Sequence, residues 1–404
     1  MHTSTDRILT SHAGSLPRPD DLRELNRRRM VGEAVEEEAF QAELTEAVAD
    51  LVRRQRELGI DVPNDGEYGH TMGDKTDYGA WWGYVFERLG GLEISETPLW
   101  ALPEHRSEPG DIILTSFADR RDWTTFAEAY SDPESGIQVG GSSRSFPVCR
   151  APVAYTGQEA VQRDIANAKA AFEAAGVEEG FLNAVAPGSC ARFANEYYKT
   201  DEEFMWACAD ALREEYQAIV ESGLILQLDD PCIAENWDQI VPEPSVEDYQ
   251  RFTMQRVEAL NHAIRGLPED RIRFHLCWGS WHGPHSTDIP MKHIVSCMLA
   301  INAGGYLFEA GNVRHEHEWT VWRETKLPDG KFVMPGVVSH STNLIEHPEL
   351  VAQRIVRFAE GVGRENVIAG TDCGLGGRVH PQLAWAKLEA LVEGAKLASA
   401  ELWR

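Results

Sequence analysis

Eight short β-rich runs, separated by stretches with helical periodicity, constrain this chain more than any other feature. They are "RILTSHAG" (7–14), "IDVPNDGE" (60–67), "GFLNAVAP" (180–187), "LILQLDDP" (224–231), "RIRFHLCW" (271–278), "GYLFEAGN" (305–312), "FVMPGVVSH" (332–340) and "NVIAGTDCG" (366–374). Helical patterns lie between and after them, at 36–59, 201–223, 246–266, 347–363 and 380–403. Strands alternating with helices must pair in parallel, because each connection returns the chain to the same end of the sheet. Eight such units predict an α/β fold of the (β/α)8 TIM-barrel type, with an open doubly wound sheet as the alternative. With 404 residues, 43% of them hydrophobic, the chain can fill such a core as one catalytic domain spanning 1–404.

The rhythm is interrupted once, between Glu67 and Gly180. That interval holds "YGAWWGYVFERLGG" (78–91), the polar "SDPESGIQVGGSSRS" (131–145) and a helical pattern at 158–175. Its apolar runs are short, so the expectation is a long insertion after the second strand, at about 70–150, lying on the barrel's face rather than folding as a separate domain.

Charge and cysteine usage exclude several classes. A formal charge of −27 disfavours a nucleic-acid partner. No run approaches the ~18 apolar residues of a membrane span, and the start lacks a basic flank followed by an apolar stretch. The cysteines number seven, are scattered and sit in apolar sequence, which points to a reducing cytoplasm rather than a disulfide framework. Oligomeric state is left open.

In a barrel of this type the C-terminal ends of the strands form the active face. Here those ends carry His12 and Ser15, Asp65 and Glu67, Asp229 and Asp230, His275 and Cys277, Glu309, His340, and Asp372 and Cys373, whereas the strand middles are largely Val, Ile and Leu. In "RFHLCWGSW" (273–281) the i, i+2 spacing aims His275 and Cys277 to one side of a strand. Cys373 ends another strand and is followed by glycines, and Glu309 ends an apolar one. Thiolate, imidazole and carboxylate donors converging in this way suit zinc, so His275, Cys277, Glu309 and Cys373 are read as a zinc site. The bland alternative keeps both thiols as small core residues and gives Glu309 a buried ion pair.

The combination of "HLC", "FEAGN" and "GTDCGLG" resembles the metal site of the cobalamin-independent methionine synthase superfamily, zinc enzymes that alkylate or dealkylate thiols within a (β/α)8 barrel. "HAGSLPRP" (12–19), "NDGEYG" (64–69), "LQLDDP" (226–231) and "GVVSHS" (336–341) follow in family order. The resemblance implies that His275, Cys277, Glu309 and Cys373 bind zinc. It implies that Ser15, Glu67 and Asp229 hold an amino acid thiol, with the two acids pairing its ammonium, and that His340 delivers a proton to the leaving group. The substrates would be a small-molecule thiol, homocysteine first, and an alkyl donor.

Full-length methionine synthases carry a second, N-terminal barrel, and this chain has room for one. Single-barrel relatives include archaeal-type methionine synthases and epoxyalkane:coenzyme M transferases, whose thiol ends in a sulfonate. For such a tail Arg18, just past the turn in "GSLPRP", is the binding residue to consider. Thioether-forming or thioether-cleaving lyases of that second kind are the alternative activity, and a non-catalytic zinc-bearing barrel is the alternative of another class.

Overall fold

The computed structural model describes residues 1–30, 33–72, 80–94, 106–115, 119–137, 147–192 and 194–404. Among them ten strands form: β1 (Leu9–Thr10), β2 (Leu89–Ile94), β3 (Pro147–Tyr155), β4 (Phe181–Val185), β5 (Ala194–Asn195), β6 (Ile225–Asp229), β7 (Ile272–Leu276), β8 (Gly305–Glu309), β9 (Phe332–Val338) and β10 (Ile368–Thr371). Seven of them, each inside one of the expected runs, make a single curled parallel sheet in the order β1-β10-β9-β8-β7-β6-β4.

The run at 60–67 behaves differently. Instead of a ladder it makes an isolated parallel bridge between Asn64 and Phe181. Pro63 lacks an N–H to donate, and Gly66 and Glu67 turn the chain at φ +69° and +59°, so there is no length of extended backbone for regular pairing. The segment still touches both edges of the sheet. Asp61 and Val62 donate backbone N–H groups to the Thr10 carbonyl at 3.1 Å each, and Phe181 donates to the Pro63 carbonyl at 3.2 Å.

Helices cover the outer face and begin and end close to where the periodicity does. Helix Asp201–Glu221 starts at Thr200, whose hydroxyl accepts from the Glu203 N–H, and helix Val246–Ala263 starts at Ser245 in the same way. Helix Glu37–Leu58 stops at Gly59, which takes the left-handed conformation at φ +103°. No helix of the described residues is long and apolar enough to cross a membrane.

The interval after the second run contributes two strands, β2 and β3, that the sequence did not suggest, and with β5 from beyond β4 they form a three-stranded sheet in the order β2-β3-β5. Prolines at 147 and 152 disguise β3 in the sequence. In the fold Pro152 lies where pairing with β2 shifts register, the position in a ladder that tolerates a missing donor. This small sheet is tied to the helices by buried charge. Arg88, fully buried, pairs with Asp164 at 2.9 Å and Glu215 at 3.2 Å, and Tyr84 donates to Glu215 at 3.0 Å. Of the two quoted stretches in this interval, 78–79 and 138–145 lie outside the described residues.

One buried pair connects the outer layer to the active face. Lys387, on the closing helix Pro381–Leu402, has no exposed side-chain area and pairs with Glu346 at 3.0 Å. Glu346 in turn accepts the Ser339 N–H at 2.8 Å, one residue before His340. Replacing Lys387 with Met leaves Glu346 buried without its cation and should cost about 3 kcal/mol of unfolding free energy in urea titrations. The double variant K387M/E346L should recover much of that loss, since no unpaired charge then remains.

Candidate active site

Parity along β7 builds the centre of the site. Arg273, His275 and Cys277 alternate with Phe274, Leu276 and Trp278. The Arg273 guanidinium crosses the inside of the sheet to bind Gln227 Oε1 at 2.7 Å, Ser11 Oγ at 2.9 Å and the His12 carbonyl at 2.9 Å. It is therefore an inward residue, and so are the two that share its parity. Register pairs Asp229 of β6 with His275, and Asp229 Oδ1 accepts from His275 Nδ1 at 2.8 Å. The other Asp229 contacts are Gln227 Nε2 at 2.8 Å and Asn183 Nδ2 at 2.8 Å.

With Nδ1 held by Asp229, Nε2 of His275 is left to face the end of β10, 3.3 Å from the Asp372 carbonyl. Burial opposes charge on this ring, but hydrogen bonds to Asp229 and Cys373 outweigh it and raise the pKa to about 10. The Cys373 and Cys277 sulfurs lie 3.9 Å apart. Hydrogen bonding to Cys277 pulls the Cys373 thiol down, against burial and with help from His275, whereas the Cys277 thiol is pushed up. Cys277 Sγ also accepts the Gly279 N–H at 3.1 Å.

Glu309 is buried with one oxygen on the Trp278 N–H at 2.9 Å. Its other oxygen accepts from Asn312 Nδ2 and from Arg314, each at 2.7 Å. Asp372 fastens the end of β8 to the end of β10: one carboxylate oxygen takes the Ala310 and Gly311 N–H groups at 2.7 Å each, the other Asn312 Nδ2 at 2.9 Å. Burial and the neighbouring Glu309 charge raise Asp372 to about 7. His340 has no exposed surface and neither ring nitrogen has a partner. Burial, then the charges of Arg314 and Arg378, keep it neutral.

The remaining residues expected from the sequence stand around the mouth. Ser15 has a buried hydroxyl without a partner, and its carbonyl accepts the Leu375 and Gly376 N–H groups at 2.9 Å, beside the turn that carries Cys373. Glu67 holds a left-handed backbone conformation, a strain of the kind that accumulates at functional positions. Burial and the Asp229 charge push its carboxyl well up. Gly14 passes so close to Glu67 and Asn183 that a Cβ there would collide with both side chains. Arg18 is buried against the turn bearing Glu67, donating to the carbonyls of Glu67 and His70, the latter at 3.1 Å.

Two donor groups lie here. The Cys277 and Cys373 sulfurs meet, and His275 lies beside Cys373. Among the described residues Glu309, His340 and Asp372 also bring ligand atoms within 4.8 Å of one another. Glu309 is also one of the four donors that the sequence suggested. The thiol pair fits zinc: bonds of about 2.3 Å at a tetrahedral angle put two sulfurs roughly 3.8 Å apart, against the 3.9 Å observed. The imidazole fits as well, with its second nitrogen already held by a carboxylate, the usual support of a metal-binding histidine.

Sequence reading passed over Arg314, Asn312, Asp288 and the inward Arg273. Parity with His275 could have revealed Arg273. Nothing local marks Arg314, because its partner Asp288 lies in a different loop.

No protein-family model matches the chain. It is 24% identical over 400 residues to a methionine synthase of Saccharolobus islandicus, covering 98% of this chain and 96% of that protein. It is equally 24% identical, over 426 residues, to the 2-hydroxypropyl-CoM lyase of Xanthobacter autotrophicus, with the same coverage of both. Among solved structures, a B12-independent methionine synthase from Shewanella sp. W3-18-1, in complex with selenomethionine, superposes with a TM-score of 0.66 at 20% identity. That match covers 98% of this chain and 99% of the other. These similarities bear out the resemblance to the cobalamin-independent methionine synthase superfamily carried by the motifs.

A pH prediction follows from the loops behind Glu309. Arg314 also pairs with Asp288 at 2.7 Å, and His315 bonds Asp288 at 3.2 Å and Glu318 at 2.9 Å while stacking on Trp278. Burial lowers the His315 pKa, but the two carboxylates outweigh it and raise the ring to about 9. A raised histidine stabilises the fold fully below its unfolded value of 6.5 and loses that contribution as pH climbs through about 9. Unfolding free energy should therefore fall across this window by up to roughly 3 kcal/mol. The H315Q variant, measured alongside, should show a flatter slope.

Proposed function

We propose that this protein is a zinc-dependent thiol alkyltransferase on a closed (β/α)8 barrel, the segment at 61–64 taking the eighth strand position. The reaction supported best is methyl transfer to homocysteine or a homocysteine-like thiol. The observation that carries the reading is the pair of cysteine sulfurs 3.9 Å apart beside His275, whose far nitrogen is held by Asp229. His275, Cys277, Cys373 and Glu309 would hold the metal. The alternative group of Glu309, His340 and Asp372 is less suited, since the Asp372 carboxylate is already occupied by amide N–H donors. Zinc bound there would lower the pKa of a substrate thiol so that the thiolate is present at neutral pH.

The chain's own residues supply the rest. Glu309 is the hard donor in a set otherwise made of imidazole and thiolates, so its place is the one an incoming thiol takes. Among the described residues no lysine or arginine side chain is bonded to the Glu67 or Asp229 carboxylate, an arrangement suited to a substrate ammonium. Ser15 offers an unpartnered hydroxyl beside them. His340, neutral and without partners, can take the proton released by the thiol and return it to the leaving atom of the alkyl donor. Because burial disfavours its charged form, it gives that proton up readily.

A second reading, opening or releasing a sulfonated thioether, is supported by the equal similarity to the 2-hydroxypropyl-CoM lyase. Binding measurements separate the two. Cys277→Ser and Cys373→Ser should each lose bound zinc, while His340→Ala keeps it; full zinc occupancy in both cysteine variants would exclude the site. Glu67→Gln should weaken homocysteine binding by about 2 kcal/mol, as expected when a desolvated charge loses its partner. Tight binding of a sulfonated thiol, unaffected by Glu67→Gln, would favour the second reading.

A further inference from the structure

Glu309 stands between two environments. Its bond to the Trp278 N–H places it beside Cys277, and its charge acts on that thiol. The opposite oxygen lies in a cradle formed by Asn312 Nδ2 and the Arg314 guanidinium. We propose that Arg314 is a positioning residue that receives the Glu309 carboxylate when a thiol takes its place, and so sets how readily that place is given up. This rests on the reading of His275, Cys277, Glu309 and Cys373 as metal donors.

The geometry supplies what such an exchange requires. Glu309 has no exposed side-chain area, so releasing it as an anion with no partner would carry the full penalty of an unpaired buried charge. Arg314 removes that penalty within side-chain reach. The guanidinium does not follow the carboxylate, because Asp288 holds its other end at 2.7 Å and is itself bonded by His285 Nδ1 at 3.1 Å and His315 Nε2 at 3.2 Å. Asn312, bonding both Glu309 and Asp372, limits the swing to a small arc. Arg314 therefore competes with the metal for one carboxylate while leaving the other donors untouched. A static ion pair would serve stability alone and would not link metal affinity to thiol affinity.

That link is the test. On the zinc-loaded full chain, with homocysteine as the probe thiol, X-ray absorption counts the sulfurs on the metal and chelator competition reads zinc affinity without thiol. The unaltered protein should go from two sulfurs to three. Arg314→Gln should hold zinc more tightly, on the order of tenfold, and bind homocysteine more weakly by a similar factor, the scale on which partners of metal ligands act. Arg314→Lys should recover part of both changes. Asp288→Asn, which loosens Arg314 without touching Glu309, should move both affinities in the same directions and covers the case in which Arg314→Gln does not fold. A third sulfur in the unaltered protein, with both affinities unchanged or both weakened in the variants, overturns the inference alone. An unaltered protein that turns homocysteine over without gaining a third sulfur overturns the underlying reading and this inference with it.

Discussion

Arg273 carries a positive charge across the inside of the curled sheet, and the active face rests on it. Its Nε and two terminal nitrogens each donate once, to Gln227 on β6, the Ser11 hydroxyl and the His12 carbonyl just past β1, elements that no backbone ladder joins to one another. Burial pulls its pKa down to about 9, which still leaves it charged near neutral pH. An inward arginine so deep must be fully satisfied. Gln227, oriented by this contact, spends its amide on Asp229 and the Ala13 carbonyl, and Asp229 then orients His275. The geometry of the imidazole is thus set by a layer of polar residues beneath it.

Above that layer the site is a balance of acids and arginines. Asp229, Glu67, Glu309 and Asp372 line the strand ends, and Asp288 and Glu318 stand behind them. Fixed cations answer only some of these: Arg314 pairs Glu309 and Asp288, while the Arg18 guanidinium meets the Glu67 turn through backbone carbonyls. Asp229 is answered by the His275 ring, and Asp372 by amide N–H donors alone. His340 lies amid this group as a neutral ring because burial and two arginines oppose its protonation.

Where the sequence was legible, a short-range rule was at work. The i, i+2 spacing of His275 and Cys277 is enforced by strand geometry, and the helix starts at Thr200 and Ser245 by capping chemistry. The β-rich runs, eight or nine residues long, enclose the seven strands of the sheet. The same rules fell short at 60–67, where one proline and two positive-φ residues leave only an isolated bridge, and at β3, whose prolines hide a strand supported by partners distant in sequence.

The sequence by itself determined the alternation of elements, the face on which reactive side chains gather, and the candidate thiol, imidazole and carboxylate donors, because these follow from periods of two and 3.6 residues and from side-chain chemistry. Only the tertiary structure decided which donors share a point in space and what holds each of them. Cys277 meets Cys373 across 96 residues, the Arg314 guanidinium on Glu309 is held at its other nitrogen by Asp288 from another loop, and Asp229 reaches His275 through sheet register. Curling a parallel sheet brings its strand ends together regardless of their order along the chain, and no local pattern encodes the distances that result.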